Sequence, residues 1–234
     1  MLQNLVPIQK ERHAKTKIKP LDKYLFAKDV HIASVLVNEF SIAASIYPIV
    51  FIEDQNEDIF RPVALLGINH NENLFVDSEG NWQSAYVPAI LRRYPFALAS
   101  TGEESRYTIC IDEDSDLIND QEGESLFTEE GQESELLQRV KKSLTELQQM
   151  EDLTKQFTSI LKENNLFTPF NLNIRVADAV RTITGSYVIN EQRLRNLSDK
   201  VFLELRKKGV LPAIYAHLVS LNQMERLQKL SGTA

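Results

Sequence analysis

The sequence predicts an α+β fold: a mixed or antiparallel sheet from the N-terminal half, packed with C-terminal amphipathic helices. Three observations carry this. Before residue 112 the apolar residues fall in short β-branched and aromatic runs. Between 112 and 135 they almost vanish, and beyond 135 they recur at steps of three and four. With 234 residues, 43% of them hydrophobic, the chain can bury a sizeable core. The organisation expected is a basic N-terminal arm over residues 1–29, then a single α+β domain over 30–234 with an acidic surface loop at about 112–135.

The first twenty residues have no sustained period and read as a loosely held arm. Val30 to Val37 is apolar enough for a buried strand, and Ser41 to Tyr47 follows as a short helix stopped by Pro48. Ile49 to Asp54 and Phe60 to Ile68, joined by a polar turn, read as a β-hairpin. A third short strand is expected at Leu74 to Asp77, closed by a turn through Gly80 and Asn81. The segment from Ala85 to Phe96 reads as a short helix bounded by prolines, and Phe96 to Ser100 and Arg106 to Asp112 as two more strands.

Leu136, Leu137, Val140, Leu144, Leu147, Met150, Leu153, Phe157, Ile160 and Leu161 form the longest stripe in the chain. It describes one amphipathic helix or two in succession, facing the core or the seam of a homodimer. A second hairpin is expected from residues 170–176 and 182–189 around Ala177–Arg181. Helices follow, one capped by Ser198 and ended by Gly209, the last opened by Pro212 with an apolar face of Ile214, Leu218, Leu221, Met224, Leu227 and Leu230.

The net charge of −7 argues against nucleic acid as a partner, because that binding rests on cations neutralising phosphates. The charge is unevenly distributed: residues 1–33 hold seven Lys/Arg against three acids, and residues 101–135 hold thirteen acids against Arg106 alone. The basic arm could meet an anionic partner or dock on this acidic stretch. Cys110 is the only cysteine, so no intramolecular disulfide forms. No membrane span is expected, since no apolar run approaches the roughly 18 residues needed. The first twenty residues lack the apolar core of a secretory signal, which leads to the expectation of a cytoplasmic protein.

No glycine-rich phosphate loop, nucleophile elbow or H-E-x-x-H helix is present, so no catalytic constellation is recognised, which leaves catalysis open, and no cofactor or metal site is expected. His13, His31, His70 and His217 lie far apart in the chain. The acidic run from Asp112 has Leu117 where a calcium loop needs glycine, and Gly123 where it needs a bidentate glutamate. The densest chemistry lies in Trp82, Tyr86, Arg92, Arg93 and Tyr94. Guanidinium groups among rings can present a planar fork to a carboxylate, phosphate or sugar acid, or can pair with an acid of the same chain. Tyr215 and His217 on the last helix form a second, weaker cluster; with Ser220 they lack the third orienting group of a triad.

Tyr47 to Phe51 (YPIVF), Pro62 to Gly67 (PVALLG), Glu72 to Asp77 (ENLFVD), Trp82 to Ala99 (W-x3-YVPA-x-LRRYPFALA), Gly185 to Val188 (G-x-YV) and Ile214 to Gln223 (IYAHL-x-SL-x-Q) resemble, in this order, the bacterial SapC-like family. The arginine-aromatic block is the most specific part. The family's name, which comes from a protein linked to a bacterial surface layer, implies a surface-associated structural role; the resemblance carries over no catalytic residues. The function expected is therefore non-catalytic binding of a small anionic or sugar-like ligand, or of a protein partner, through Trp82, Tyr86, Arg92, Arg93, Tyr94, Tyr215 and His217. The alternatives are a cytoplasmic enzyme or accessory subunit acting on a small metabolite or peptide, and a surface-layer component.

Overall fold

In the computed structural model the elements run, in chain order, β1 (Leu5–Pro7), α1 (Lys10–His13), β2 (Lys17–Ile18), β3 (Ile32–Ser34), α2 (Phe40–Ala43), β4 (Ile49–Asp54), β5 (Ile59–Leu65), α3 (Ala89–Arg92), β6 (Phe96–Ser100) and β7 (Tyr107–Asp112). There follow β8 (Ile118–Asn119), β9 (Glu124–Ser125), α4 (Glu135–Glu163), β10 (Phe167–Val176), β11 (Ala179–Ile189), α5 (Glu191–Arg195), α6 (Asp199–Lys207), α7 (Leu211–Ser220) and α8 (Gln223–Leu230). The structure describes residues 2–100, 102, 107–176 and 179–232, and for 172–176 and 179–183 the backbone alone. Arg106, and Ala177 and Asp178 within the expected second hairpin, lie outside the described residues. The chain divides into two compact units: residues 1–24 with 89–149, and 25–88 with 150–234.

The first unit is built on two small antiparallel sheets, β1-β7-β6 and β8-β2-β9. The N-terminal segment is therefore no loose arm. Leu5, Val6 and Pro7 pair with Asp112, Ile111 and Cys110, and Lys17 and Ile18 sit between β8 and β9. Basic and acidic segments meet here: the Asp112 carboxylate accepts from the Gln3 and Asn4 N–H groups at 3.1 and 2.9 Å, and Arg12 and His13 both pair with Glu113. The acidic stretch, expected as a plain surface loop, thus supplies two short strands. At Gly123 the backbone has φ +100°, and an added Cβ would lie 2.1 Å from the Ile18 carbonyl oxygen, so β9 can approach β2 only with glycine there. The core joins Ile18, Phe96, Ile111, Leu126 and Phe127 to Leu137 and Leu144 of α4.

The second unit has a five-stranded antiparallel sheet, β10-β11-β4-β5-β3. One face carries aromatic rings: Phe60 stacks on Phe167 with centroids 4.0 Å apart, and Phe51 meets Phe167 and the His217 ring, each at 4.9 Å. Phe40 of α2 adds Phe157 from α4 at 5.6 Å. Edge-to-face geometry of this kind adds about 0.5–1.5 kcal/mol per pair beyond the area buried. Helix α7 packs on α2, β4 and β11.

Helix α4 is one helix of 29 residues, because no glycine or proline interrupts 135–163. The Ser134 hydroxyl accepts from the Leu137 N–H at its start, and Asn165, with φ 53°, turns the chain at its end. Its stripe is not the one that spacing alone suggests. Leu153 is exposed, while Thr154 is buried and accepts the Val37 N–H at 2.9 Å.

Three other expectations change. Leu74 to Asp77 is no strand but a turn with a single bridge between Val76 and Trp82, because the Asp77 side chain accepts from the Glu79 and Asn81 N–H groups and offers the backbone an alternative to a ladder. The Ser41 helix is one turn, residues 40–43. The last helix is two, α7 and α8, parted at Leu221 and Asn222, with Leu230 exposed.

Candidate functional site

The expected site residues fall in both units: Arg92, Arg93 and Tyr94 in the first, Trp82, Tyr86, Tyr215 and His217 in the second. In the first unit, α3 ends at Arg92 because Pro95 follows within three residues and begins a strand boundary. That short turn leaves Arg92 exposed, Arg93 half-buried and Tyr94 buried. The Tyr94 hydroxyl is hydrogen-bonded to Ser115; burial, then the carboxylates of Asp112, Asp116 and Asp114, hold its pKa above the usual phenol value. Tyr94 therefore fastens the acidic stretch and offers a ligand its ring alone.

Arg92, Arg93 and Tyr94 line a crevice of about 230 Å³. Lys19 adds a third cation to its rim, and Phe96, Leu136, Val140 and Leu144 form an apolar floor. Among the described residues Glu124 is the one acid on the wall, and it faces Arg139 at 2.6 Å. Arg92 also acts on Tyr24, whose hydroxyl pKa is raised by burial and lowered by the guanidinium. A larger crevice of about 940 Å³ in the same unit is lined by Ile8, Leu98, Ile109 and Phe127, with Lys10 and Lys141. Lys141 there is paired with Glu133, as Lys19 of the smaller crevice is with Glu122 at 3.6 Å.

In the second unit Trp82 and Tyr86 belong to a hydrogen-bonded knot around Tyr47. The Trp82 indole N–H points at the Tyr47 hydroxyl (3.0 Å), the Ser84 hydroxyl (2.8 Å) and the Tyr86 carbonyl (3.0 Å). The Tyr47 hydroxyl also bonds the Tyr86 carbonyl, and the Tyr86 hydroxyl donates to buried Glu39 at 2.5 Å. Glu39 in turn accepts the Leu36 N–H at 2.8 Å. Burial raises the Tyr47 pKa, the hydrogen bonds from Ser84 and Trp82 opposing it. Sequence reasoning singled out Trp82 and Tyr86 but missed Tyr47, Ser84 and Glu39, whose polar atoms meet only through the fold.

His217 and Tyr215 are not brought together. His217 is fully enclosed, with Nε2 accepting the Ile189 N–H at 3.1 Å and Nδ1 without a hydrogen-bond partner among the described residues. Burial lowers its pKa to about 3, against a weaker opposing influence from the Ile49 backbone, so the ring is neutral. Tyr215, two residues away on α7, is half exposed beside Val219. The Ser220 hydroxyl donates to the His217 carbonyl at 2.6 Å and accepts the Ile49 N–H at 3.0 Å, so it ties α7 to β4.

No group of three His, Cys, Asp or Glu suited to a metal occurs among the described residues, and no helix among them is long and apolar enough to cross a membrane. The SapC family profile matches residues 8–227. The chain belongs to the SapC family. The match includes both units' site residues and, unlike the motif resemblance, reaches into the N-terminal segment that forms β2, which makes that segment part of the SapC fold. No curated protein and no solved structure matches.

Proposed function

We propose that this SapC-family chain is a non-catalytic binding protein whose ligand is a small anion with an apolar tail, held in the crevice of the first unit. The supporting observation is the composition of that crevice: Arg92, Arg93 and Lys19, the last also 3.6 Å from Glu122, with Glu124 facing Arg139, above Phe96, Leu136, Val140 and Leu144. A guanidinium fork matches a phosphate or carboxylate in two places, and charge-assisted bonds of this kind are worth about 1.5–3 kcal/mol each. The apolar floor rewards a chain attached to that head group by about 0.8 kcal/mol for each buried methylene. An enzymatic role for His217 finds no support, since an enclosed, neutral imidazole holding a backbone N–H cannot reach a substrate.

Calorimetric titration of the full chain with octyl phosphate tests the reading. One molecule is expected to bind per chain, inorganic phosphate more weakly, and the Arg92→Ala/Arg93→Ala double variant at least about tenfold more weakly at an unchanged melting temperature. A variant that binds as well as the parent but melts earlier would show the arginines to be structural and overturn the proposal.

A further inference from the structure

In the second unit two histidines far apart in the chain meet at the mouth of a cavity. The rings of His31 and His70 lie edge to face, with centroids 4.6 Å apart. Among the described residues neither imidazole takes a hydrogen-bond partner, in contrast to His13 and His217. The cavity beside them, about 650 Å³, has Val50, Ile52 and Leu65 on its floor and Asn69 and Thr184 on its wall.

Both rings are held by ordered backbone. The His31 carbonyl accepts from the Leu66 and Gly67 N–H groups at 2.8 and 3.1 Å, tying the start of β3 to the end of β5. The loop bearing His70 is locked from within: the Glu72 carboxylate accepts from the Ile68 and Asn69 N–H groups, both at 3.0 Å. At Gly67 a Cβ would lie 2.1 Å from the Glu72 carbonyl oxygen, and Asn71 sits at φ 59°. A loop stapled by its own side chains, carrying an imidazole with no hydrogen-bond partner among the described residues, is a preorganised arrangement.

We propose that His31 and His70 together anchor one late first-row divalent ion, of the zinc or nickel kind, at the mouth of this cavity. The remaining coordination positions are left to water or to a donor group of a small molecule lying over Val50, Ile52 and Leu65. Neutral imidazole is the ligand such ions favour, and two rings sharing a tetrahedral ion at about 2.0–2.1 Å have centres roughly 5 Å apart. The observed centroid separation of 4.6 Å is close to that span, and the His70 side chain is exposed. With two protein ligands the ion is exchangeable.

The test uses the full, tag-free chain titrated with ZnCl₂ and NiCl₂ in a non-coordinating buffer. The expected result is saturable uptake of one ion per chain, none with MgCl₂, and a loss of affinity of about tenfold or more in each of His31→Gln and His70→Gln at unchanged circular dichroism. Saturating zinc should also protect both histidines of the parent chain from diethyl pyrocarbonate, a readout that needs no variant. Absence of saturable uptake, uptake that survives both substitutions, or modification undiminished by zinc would each overturn the proposal.

Discussion

In the first unit exposed and half-buried cations stand at the rim of a crevice, beside buried fasteners such as Asp112, whereas in the second the larger number of polar side chains discussed are enclosed and consumed by the fold. Arg92, Arg93 and Lys19 border open space. Tyr47, Glu39, Ser220 and His217 are buried, and each holds a backbone group or another side chain. The units differ also in their cores: short strands with mixed aliphatic and phenylalanine packing in one, a ring-on-ring stack across a five-stranded sheet in the other. A buried polar group is costly unless it is satisfied, so in the second unit it acts as a fastener, and a cation on a rim is retained at little cost to stability. Residue type alone therefore does not separate an enclosed fastener from an exposed rim cation; exposure does.

This contrast can be broken most directly at Phe51, which is fully buried and touches Phe40, Phe167 and His217. Phe51→Ala is predicted to cost about 3–5 kcal/mol, read as a lowered urea midpoint. Next comes pH. The folded His217 pKa, about 3, lies below its unfolded value of 6.5, so its contribution is fully present above pH 6.5. As pH falls below that, the unfolded chain takes up a proton that the folded chain refuses, and stability drops by up to about 1.4 kcal/mol per pH unit until about pH 3. His217→Gln should flatten that part of the profile, and an unchanged slope would assign it elsewhere.

Asp112→Ala in the first unit removes the acceptor of two backbone N–H groups and should cost about 1–3 kcal/mol, with faster amide exchange at Gln3 and Asn4. Ser198 accepts the Val201 N–H at the start of α6, and Ser198→Ala should cost about 1 kcal/mol in a thermal melt. Smallest is the rim itself: Arg92→Ala is expected to move stability by no more than about 0.5 kcal/mol, and a larger loss would reclassify it as a fastener.

Much of the fold was legible because local pattern and tertiary placement agree. The β4–β5 hairpin, β6, β7, the helical stripe from Leu136 and the Ser198 cap each rest on residues close together in the chain. What escaped depends on distant pairing. β2 has two residues and no period of its own; it exists because Ile118 and Glu124 flank Ile18. The turn at Asp77 escaped because a carboxylate outcompeted an apolar alternation. Among site residues, the arginine pair was visible as a local cluster. Lys19, which shares its crevice, and the His31–His70 contact were invisible, since no spacing rule links residues so far apart.

The pairing of β1 with β7 bears on how the chain reaches its folded state. Leu5 cannot find Asp112 until more than a hundred residues have left the ribosome, and both units are assembled from two separated stretches. Such long-range closure is entropically slow compared with forming a hairpin or helix. The N-terminal strands therefore wait exposed during synthesis, and a chain stopped before residue 107 would lack the partner that covers them. For recombinant work this favours slow expression of the whole chain over fragments cut at apparent loops.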